Sequence, residues 1–184
     1  MQLFLIRHPR PDVPPGVCYG ATDLALLEDP AEVAARLLRF LPAGLRVATS
    51  PLQRARLLAQ ALHEDPIQDE RLAELDFGDW EMQPINGLPP GAFESWRRDL
   101  LKFSAPNGES MEALAARVWS AYQELSADQP AALAIVAHGG PLRVISGRLL
   151  GVPSTHWLGL DFACGRSARL DIEGPHVRLA WFNR

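Results

Sequence analysis

The chain has 184 residues, of which 47% are apolar and 22% are charged. This length fits a single domain with one substantial core, and the composition excludes a largely disordered chain. The formal net charge of −4 lacks the basic excess that marks a nucleic-acid-binding surface. Without a signal-peptide pattern or an apolar run of the roughly 20 residues that a membrane helix needs, we expect a cytoplasmic protein with neither nucleic-acid nor membrane partners.

The first predicted element is a short buried strand, Gln2 to Ile6, which ends on the dipeptide Arg7-His8. Pro9 and the Pro-rich stretch that follows it prevent the strand from continuing. Parallel α/β sheets bind ligands in the crevice beyond the carboxyl ends of their strands. Arg7 and His8 are therefore candidate binding residues, although a dipeptide alone is weak evidence.

A helix and a second strand follow. Helical spacing of apolar residues predicts a helix over 30–40, and the next strand covers 46–49. We expect Ser50 to cap, and Pro51 to begin, a further helix that runs to Leu62. This places Arg54 in the first turn of a helix that directly follows a strand.

The second half of the chain repeats the alternation. A helix is predicted from about Glu109 to Leu125, and the apolar run Ala132–Ala137 is typical of a central parallel strand covered on both faces. His138 ends that strand, and Gly139-Gly140-Pro141 begins a helix to Leu150. Alternating residues in 167–173 and 177–182 indicate a terminal hairpin. The predicted fold is a three-layer α/β/α sandwich with a mostly parallel sheet.

The segment 78–108 is the least regular part of the chain and is dense in Pro, Gly and Trp. Long irregular segments inside compact domains are often functional, so we predict a lid or insertion beside the site. Its aromatic residues include Trp80, Phe93 and Trp96, which could stack on an aromatic base. For each of them singly, packing of the segment onto the domain is the favoured interpretation.

Two predicted strands thus end on a histidine, and Arg7 and Arg54 lie close to strand ends. Taken singly, Arg54 fits a solvated helix residue and His138 a core histidine. Together with the helix that begins at Gly139, they predict a receptor for a dianion in an acidic protein. Carboxylates for acid–base chemistry occur between Glu74 and Glu81, around Phe77-Gly78.

The chain resembles the histidine phosphatase superfamily, which includes the cofactor-dependent phosphoglycerate mutases. Six segments in family order carry the resemblance, from the first strand to beyond residue 140: Leu5-Ile6-Arg7-His8, Gly20 to Leu26, Ser50-Pro51-Leu52-Gln53-Arg54-Ala55, Glu74 to Glu81, Asn107-Gly108-Glu109-Ser110 and Ala137-His138-Gly139-Gly140. The resemblance implies a phosphoglycerate mutase-like fold.

The resemblance implies that His8 is a nucleophile that forms a phosphohistidine, and that Arg7, Arg54 and His138 bind the phosphoryl oxygens. Glu74 would protonate the leaving oxygen, with Asp76 as the alternative acid. Gly139 is a further candidate for the phosphate site. Neither a metal nor an organic cofactor is implied, because arginines supply the positive charge.

The chain departs from the family at Pro9, where glycine is usual. Proline has no backbone N–H, so any phosphate contact from that amide is absent. Arg10 could compensate by contacting the phosphate. The contacts of this first loop therefore stay open.

The segment 7–20 resembles that of α-ribazole phosphatases, which remove a 5′-phosphate in cobalamin synthesis. Only 64 positions separate Glu74 from His138, which leaves little room for the insertion typical of mutases. We expect a phosphomonoesterase acting on a small phosphate ester such as α-ribazole 5′-phosphate. A mutase-type phosphotransferase and a catalytically silent phospho-ligand-binding module are the alternatives. The sequence leaves the oligomeric state open.

Overall fold

The computed structural model describes residues 1–91, 94 and 98–184. These residues form strands and helices in the following order: β1 (Gln2–Arg7), α1 (Pro30–Leu38), β2 (Arg46–Thr49), α2 (Gln53–Leu62), β3 (Ile67–Gln68), α3 (Met111–Leu125), β4 (Ala132–Ala137), α4 (Gly139–Leu149), β5 (Ser167–Glu173) and β6 (His176–Trp181). Short 3-10 turns lie between them, among them Gly78–Trp80 and Ser154–Gly159.

The strands form one six-stranded sheet in the order β3-β2-β4-β1-β5-β6. Strands β3, β2, β4 and β1 pair in parallel, and β5 and β6 extend the sheet as antiparallel strands. Arg7 lies opposite Ala137, and Thr49 lies opposite Val136. The residues that follow these strands therefore emerge side by side at the carboxyl edge of the sheet.

Helices cover both faces of the sheet, which produces the expected three-layer α/β/α sandwich. The alternation along β1 divides the core, because successive side chains of a strand point to opposite faces. Leu3 and Leu5 pack in the cluster that contains residues of α3 and α4, while Phe4 and Ile6 pack in the cluster with residues of α1 and α2. The predicted fold class is confirmed.

The start of α2 differs from the prediction. The helix begins at Gln53, its N-cap is Leu52, and the predicted cap Ser50 lies outside it. The Ser50 hydroxyl accepts a hydrogen bond from the Leu52 N–H at 3.3 Å, before the first helical residue, and lies 2.7 Å from His138 Nε2. Asp23 supplies the missing cap, since its carboxylate accepts a hydrogen bond from the Gln53 N–H at 2.8 Å.

The other predicted elements differ from the structure by a few residues at their ends. α1 ends two residues before Phe40, α3 begins two residues later because Ser110 is its N-cap, and β6 begins one residue earlier. The two-residue strand β3, which pairs with β2, is an element that the apolar pattern did not predict. None of the helices in the described ranges has the length and apolarity that a membrane crossing requires.

Candidate active site

A cavity of about 270 Å³ opens beside the carboxyl edge of the sheet. Polar residues at one side of it include Arg7, His8, Glu74 and Arg143. Apolar residues form much of the remaining wall, and several of them belong to the segment 78–108: Trp80, Ile85, Leu88, Phe103 and Ala105. The wall of the cavity thus contains both charged groups and a large apolar surface.

His8 lies at the end of β1 with 1% of its surface exposed. Its Nδ1 lies 2.6 Å from the carbonyl oxygen of Pro9, which can only accept a hydrogen bond, so Nδ1 carries the proton. The neutral ring then has its lone pair on Nε2. Burial and the charges of Arg54 and Arg7 lower the pKa of His8 to about 3, although the hydrogen bond to Pro9 opposes the shift. His8 is therefore a neutral nucleophile at physiological pH.

His138, at the end of β4, stacks beside His8 with 5.0 Å between the ring centroids. Its Nε2 lies 2.7 Å from the Ser50 hydroxyl oxygen, whereas its Nδ1 is buried without a partner. Burial and the nearby His8, Arg54 and Arg7 lower the pKa of His138 well below its usual value. Both rings are therefore neutral before a ligand binds.

Arg54 is fully buried in the first turn of α2. Its guanidinium donates hydrogen bonds to the carbonyl oxygens of Gly20 and Thr22, the latter at 2.8 Å. Burial lowers the pKa of Arg54, while the neighbouring Glu74 and Tyr19 oppose that shift. A guanidinium remains protonated under such conditions, so Arg54 places a fixed positive charge behind the histidines.

Glu81 holds the loop that positions Arg54. Its carboxylate accepts five hydrogen bonds, from the N–H groups of Gly20, Ala21, Thr22 and Phe77 and from the Thr22 hydroxyl. Burial raises the pKa of Glu81, but these hydrogen bonds outweigh it and leave the pKa below its ordinary value. Gly20 and Thr22 thus donate to Glu81 through their N–H groups and accept from Arg54 through their carbonyls. Gly20 must be glycine, because a Cβ there would lie 1.9 Å from the Leu75 carbonyl oxygen.

Glu74 extends its carboxylate over the N-terminus of α4. The N–H of Gly140 donates to both carboxylate oxygens at 3.1 Å, and the N–H of Leu75 donates to Oε1 at 2.9 Å. A Cβ at residue 140 would lie 2.2 Å from Glu74 Oε1, so only glycine permits this contact. Arg117 fixes the backbone of the segment by donating to the carbonyls of Arg71, Ala73 and Glu74.

Three buried side-chain atoms have no hydrogen-bond partner among the described residues: Arg7 Nε, Arg54 Nε and His138 Nδ1. Arg7 also donates through Nη1 to the Phe162 carbonyl oxygen, which holds its side chain in place. Buried polar atoms are nearly always satisfied, so unpaired ones indicate a ligand. All three belong to residues whose charge or ring acts on His8.

The structure brings Arg7, His8, Arg54, Glu74 and His138 together: Arg7, His8 and Glu74 line the cavity, whereas Arg54 and His138 are fully buried next to His8. Asp76 does not line the cavity, and its side chain accepts a hydrogen bond from the Gly78 N–H at 2.7 Å. Arg10 also lies outside the cavity, where its exposed guanidinium pairs with Glu28 at 3.5 Å. Its predicted phosphate contact therefore finds no support.

Two of the other expectations can be placed. Gly139 is the first residue of α4, but the glycine that meets Glu74 is Gly140. Trp80 lines the cavity and packs against Phe103 with 5.5 Å between centroids, whereas Phe93 and Trp96 lie outside the described residues.

Sequence reasoning did not assign site roles to Ser50, Glu81, Arg117 or Arg143. Arg143 was foreseeable from helix spacing, since it lies four residues after Gly139 on α4 and so shares its face. Glu81 ends one of the segments that carry the family resemblance, but its local pattern does not distinguish it from the other carboxylates there. Ser50 and Arg117 act through contacts that are distant in sequence, which no local pattern reveals. No cluster of three or more His, Cys, Asp or Glu side chains suited to a metal ion occurs among residues 1–91, 94 and 98–184.

Unpaired guanidinium donors around a neutral histidine, at the edge where parallel sheets bind their ligands, indicate the class of proteins that bind an oxyanion such as a phosphoryl group. The comparison with known families places the chain within that class. A model of the histidine phosphatase superfamily (branch 1) matches residues 3–184, and the chain belongs to this family.

Individual relatives include phosphatases and probable phosphoglycerate mutases. The chain is 30% identical over 197 residues to glucosyl-3-phosphoglycerate phosphatase of Mycolicibacterium vanbaalenii, which covers 96% of this chain and 85% of that protein. The α-ribazole phosphatase from Shigella flexneri has 28% identity and a TM-score of 0.87, covering 100% of this chain and 96% of that one. A mycobacterial glucosyl-3-phosphoglycerate phosphatase in complex with VO3 has 29% identity and a TM-score of 0.85, covering 99% and 98%. These relatives support a hydrolase.

Proposed function

We propose that the protein is a phosphomonoesterase that transfers the phosphoryl group of a small ester to His8 and then to water. The carrying observation is the set of unpaired buried side-chain nitrogens on Arg7, Arg54 and His138, of which the two guanidinium Nε atoms are donors. A phosphoryl group offers three oxygens to such donors, and charge-assisted hydrogen bonds to them are strong. The complex of a mycobacterial relative with VO3 agrees with an oxyanion site in this family.

In the first step, His8 Nε2 attacks phosphorus in line with the ester oxygen. The N–P bond forms as the P–O bond to the leaving group breaks, and the leaving oxygen takes the proton of the Glu74 carboxyl group. The Nδ1 proton, donated to the Pro9 carbonyl, stabilises the positive charge that the ring acquires. Arg7 and Arg54 balance charge on the phosphoryl oxygens, so positioning and electrostatics supply most of the rate enhancement.

In the second step, water attacks the phosphohistidine. The Glu74 carboxylate now accepts a proton from that water, the N–P bond breaks, and His8 returns to its neutral form as phosphate leaves. Glu74 serves both steps because the Gly140 and Leu75 amides hold its carboxylate at the cavity wall. Asp76, which is bound to Gly78 outside the cavity, is the weaker candidate for this role.

The cavity wall favours a leaving group with an apolar, flat part. Trp80 and Phe103 form a tilted pair of rings, and Ile85 and Leu88 lie beside them. Such a surface matches the aromatic base of α-ribazole 5′-phosphate better than a phosphoglycerate, whose carboxylate and hydroxyl gain nothing from apolar contacts. The likeness to α-ribazole phosphatases supports the same substrate. We expect Arg143, which lines the same cavity as His8 and Glu74, to contact a hydroxyl or an oxyanion of the substrate.

Two measurements test the proposal. Phosphate release is followed with α-ribazole 5′-phosphate, glucosyl-3-phosphoglycerate and 3-phosphoglycerate, and conversion of 3-phosphoglycerate into its isomer is followed in parallel. We expect release to exceed isomerisation, with the largest kcat/KM for α-ribazole 5′-phosphate. Isomerisation faster than release would instead show a mutase.

Trapping with labelled substrate in an alkaline denaturant, in which the N–P bond of phosphohistidine survives, then identifies the phosphorylated residue. We expect label on wild-type protein and on His176→Ala, which removes an exposed histidine from the terminal hairpin, and none on His8→Ala. Absence of both trapped label and turnover for every ester would favour the silent binding module. Label retained on His8→Ala would overturn the assigned nucleophile.

A further inference from the structure

A second cavity, of about 370 Å³, lies on the face of the sheet that α1 covers. Four arginines line it: Arg36 in α1, Arg39 at the C-terminal end of α1, Arg166 before β5 and Arg184 after β6. The other lining residues carry no charge, and none of them lines the active-site cavity. We call these four residues the arginine cluster.

The positive charge of the arginine cluster is not neutralised by the protein. Within the described ranges, none of its guanidinium groups lies within 4.0 Å of a carboxylate or donates a hydrogen bond to another group. Arginines elsewhere do find acids, as Arg46 does with Asp128 and Arg178 with Asp171. All four arginines are exposed, and they make this cavity locally positive in a chain with 22 acidic and 18 basic residues.

The framework holds part of the arginine cluster in place. The Arg184 guanidinium lies over the rings of Phe40 and Trp181, 5.2 and 5.1 Å from their centroids. Its backbone pairs with Ser167 through two hydrogen bonds of 3.0 and 3.1 Å. Stacking of this kind orients the planar guanidinium and leaves its edge free to donate. The cluster is therefore partly preorganised for a ligand.

The loop beside the cluster also touches the backbone of the nucleophile. The Gly165 N–H donates to the carbonyls of Arg7 and His8, at 3.1 and 2.9 Å, and the Arg7 N–H donates to the Arg166 carbonyl at 3.1 Å. The Arg36 side chain lies over this loop, since a Cβ on Gly165 would be 3.7 Å from its Nη2. The two cavities are thus separate but share one short stretch of main chain.

We propose that the arginine cluster binds a small polyanion that carries two or more linked phosphate groups. Four guanidinium groups repel one another, and a multiply charged anion relieves that repulsion while filling their bidentate donors. The concave shape favours a compact anion over a flat charged surface. Inorganic polyphosphate and the triphosphate of a nucleotide present the same chemistry, and affinity measurements can distinguish them.

Isothermal titration with tripolyphosphate tests the proposal on the full chain. Wild type should bind two molecules, one at the active site, where it inhibits competitively, and one at the arginine cluster. The double variant Arg36→Gln/Arg166→Gln should lose the second binding event, with affinity there lowered at least roughly tenfold for each arginine. Its kcat/KM should stay at the wild-type value, since neither side chain lines the active-site cavity.

A matched control removes the same net charge elsewhere. Arg148→Gln/Arg56→Gln changes one arginine that lies over the Trp119 ring, as Arg184 lies over Phe40, and one in α2. We expect this control to keep both binding events. Absence of any binding event that Arg36→Gln/Arg166→Gln removes, or an equal loss in the control, would overturn the proposal. If ATP binds the arginine cluster more tightly than tripolyphosphate does, the cluster recognises a nucleotide. Equal affinity would show that it recognises the phosphates alone.

Discussion

Glu81 allows the sharpest test of how the site is organised, because one carboxylate holds the loop that holds Arg54. The substitution Glu81→Gln keeps the contacts of Oε1 with Ala21 and Phe77. In the native protein, the Gly20 and Thr22 N–H groups donate to Oε2. In the variant, the amide nitrogen takes the place of Oε2 and cannot accept from them. Each backbone donor left without a partner costs about 1–3 kcal/mol.

Two such donors predict a loss of about 2–6 kcal/mol in the free energy of unfolding. For a domain of this size, that loss lowers Tm by about 4–24 °C. The carbonyls of Gly20 and Thr22 also anchor Arg54, so its guanidinium shifts with the loop. Because small misplacements of a charged group that binds the reacting phosphoryl can cost roughly 100-fold in rate, kcat/KM should fall by about that factor.

The assay combines thermal unfolding with steady-state hydrolysis and inhibition by inorganic phosphate. Glu112→Gln, which changes an exposed glutamate in the first turn of α3, is the matched control and should leave Tm and kcat/KM unchanged. If Glu81 had only a structural role, Glu81→Gln would lower Tm but would leave kcat/KM and the phosphate inhibition constant of the folded enzyme unchanged. That pattern would refute the positioning of Arg54 by Glu81.

Three further predictions concern the same site. The pKa of His8 is about 3 in the folded protein and about 6.5 when unfolded, so the unfolded state binds the proton first. Stability should therefore fall as pH drops from 6.5 towards 3, and His8 contributes up to about 1.4 kcal/mol per pH unit to that slope. In urea unfolding, His8→Asn should reduce the slope by this amount and leave the part due to His138, whose pKa is also lowered. Gly140→Ala should displace the Glu74 carboxylate and lower kcat at least roughly tenfold. The control Gly151→Ala lies in an open turn and should affect stability alone. Equal kcat in the two variants would contradict the assigned contact. Trp80→Ala should reduce kcat/KM for an aromatic ester roughly tenfold more than for 3-phosphoglycerate, and an equal loss for both would argue against apolar recognition.

The elements next to the site were predictable because their signals are local. The run Ala132–Ala137 is buried at every position, as its unbroken apolar sequence predicted. His8 and His138 follow parallel strands that pair with each other, and the register then leaves them adjacent. The position of each histidine could be predicted once the end of its strand was known. The end of a strand is visible in the sequence as a change from apolar to polar residues.

Ser50 shows where local reasoning is wrong. Serine before proline at a helix start is a common cap, but the hydroxyl of Ser50 bonds to His138, which is 88 positions away. Asp23 caps the helix in its place from a distant loop. The Ser50 hydroxyl also accepts from the nearby Leu52 N–H at 3.3 Å, so the fold adds a distant partner that the local pattern does not show.

The sequence by itself determined the three-layer fold and the presence of Arg7, His8, Arg54, Glu74 and His138 at strand ends or in the segments beside them. Periodicity and strand boundaries encode such features over a few residues. Only the tertiary structure decided that Glu74 rather than Asp76 lines the cavity, that Glu81 holds the loop under Arg54, and that four arginines share a second cavity. These features depend on contacts between segments far apart in the chain, and it is the packing of the whole domain that creates them.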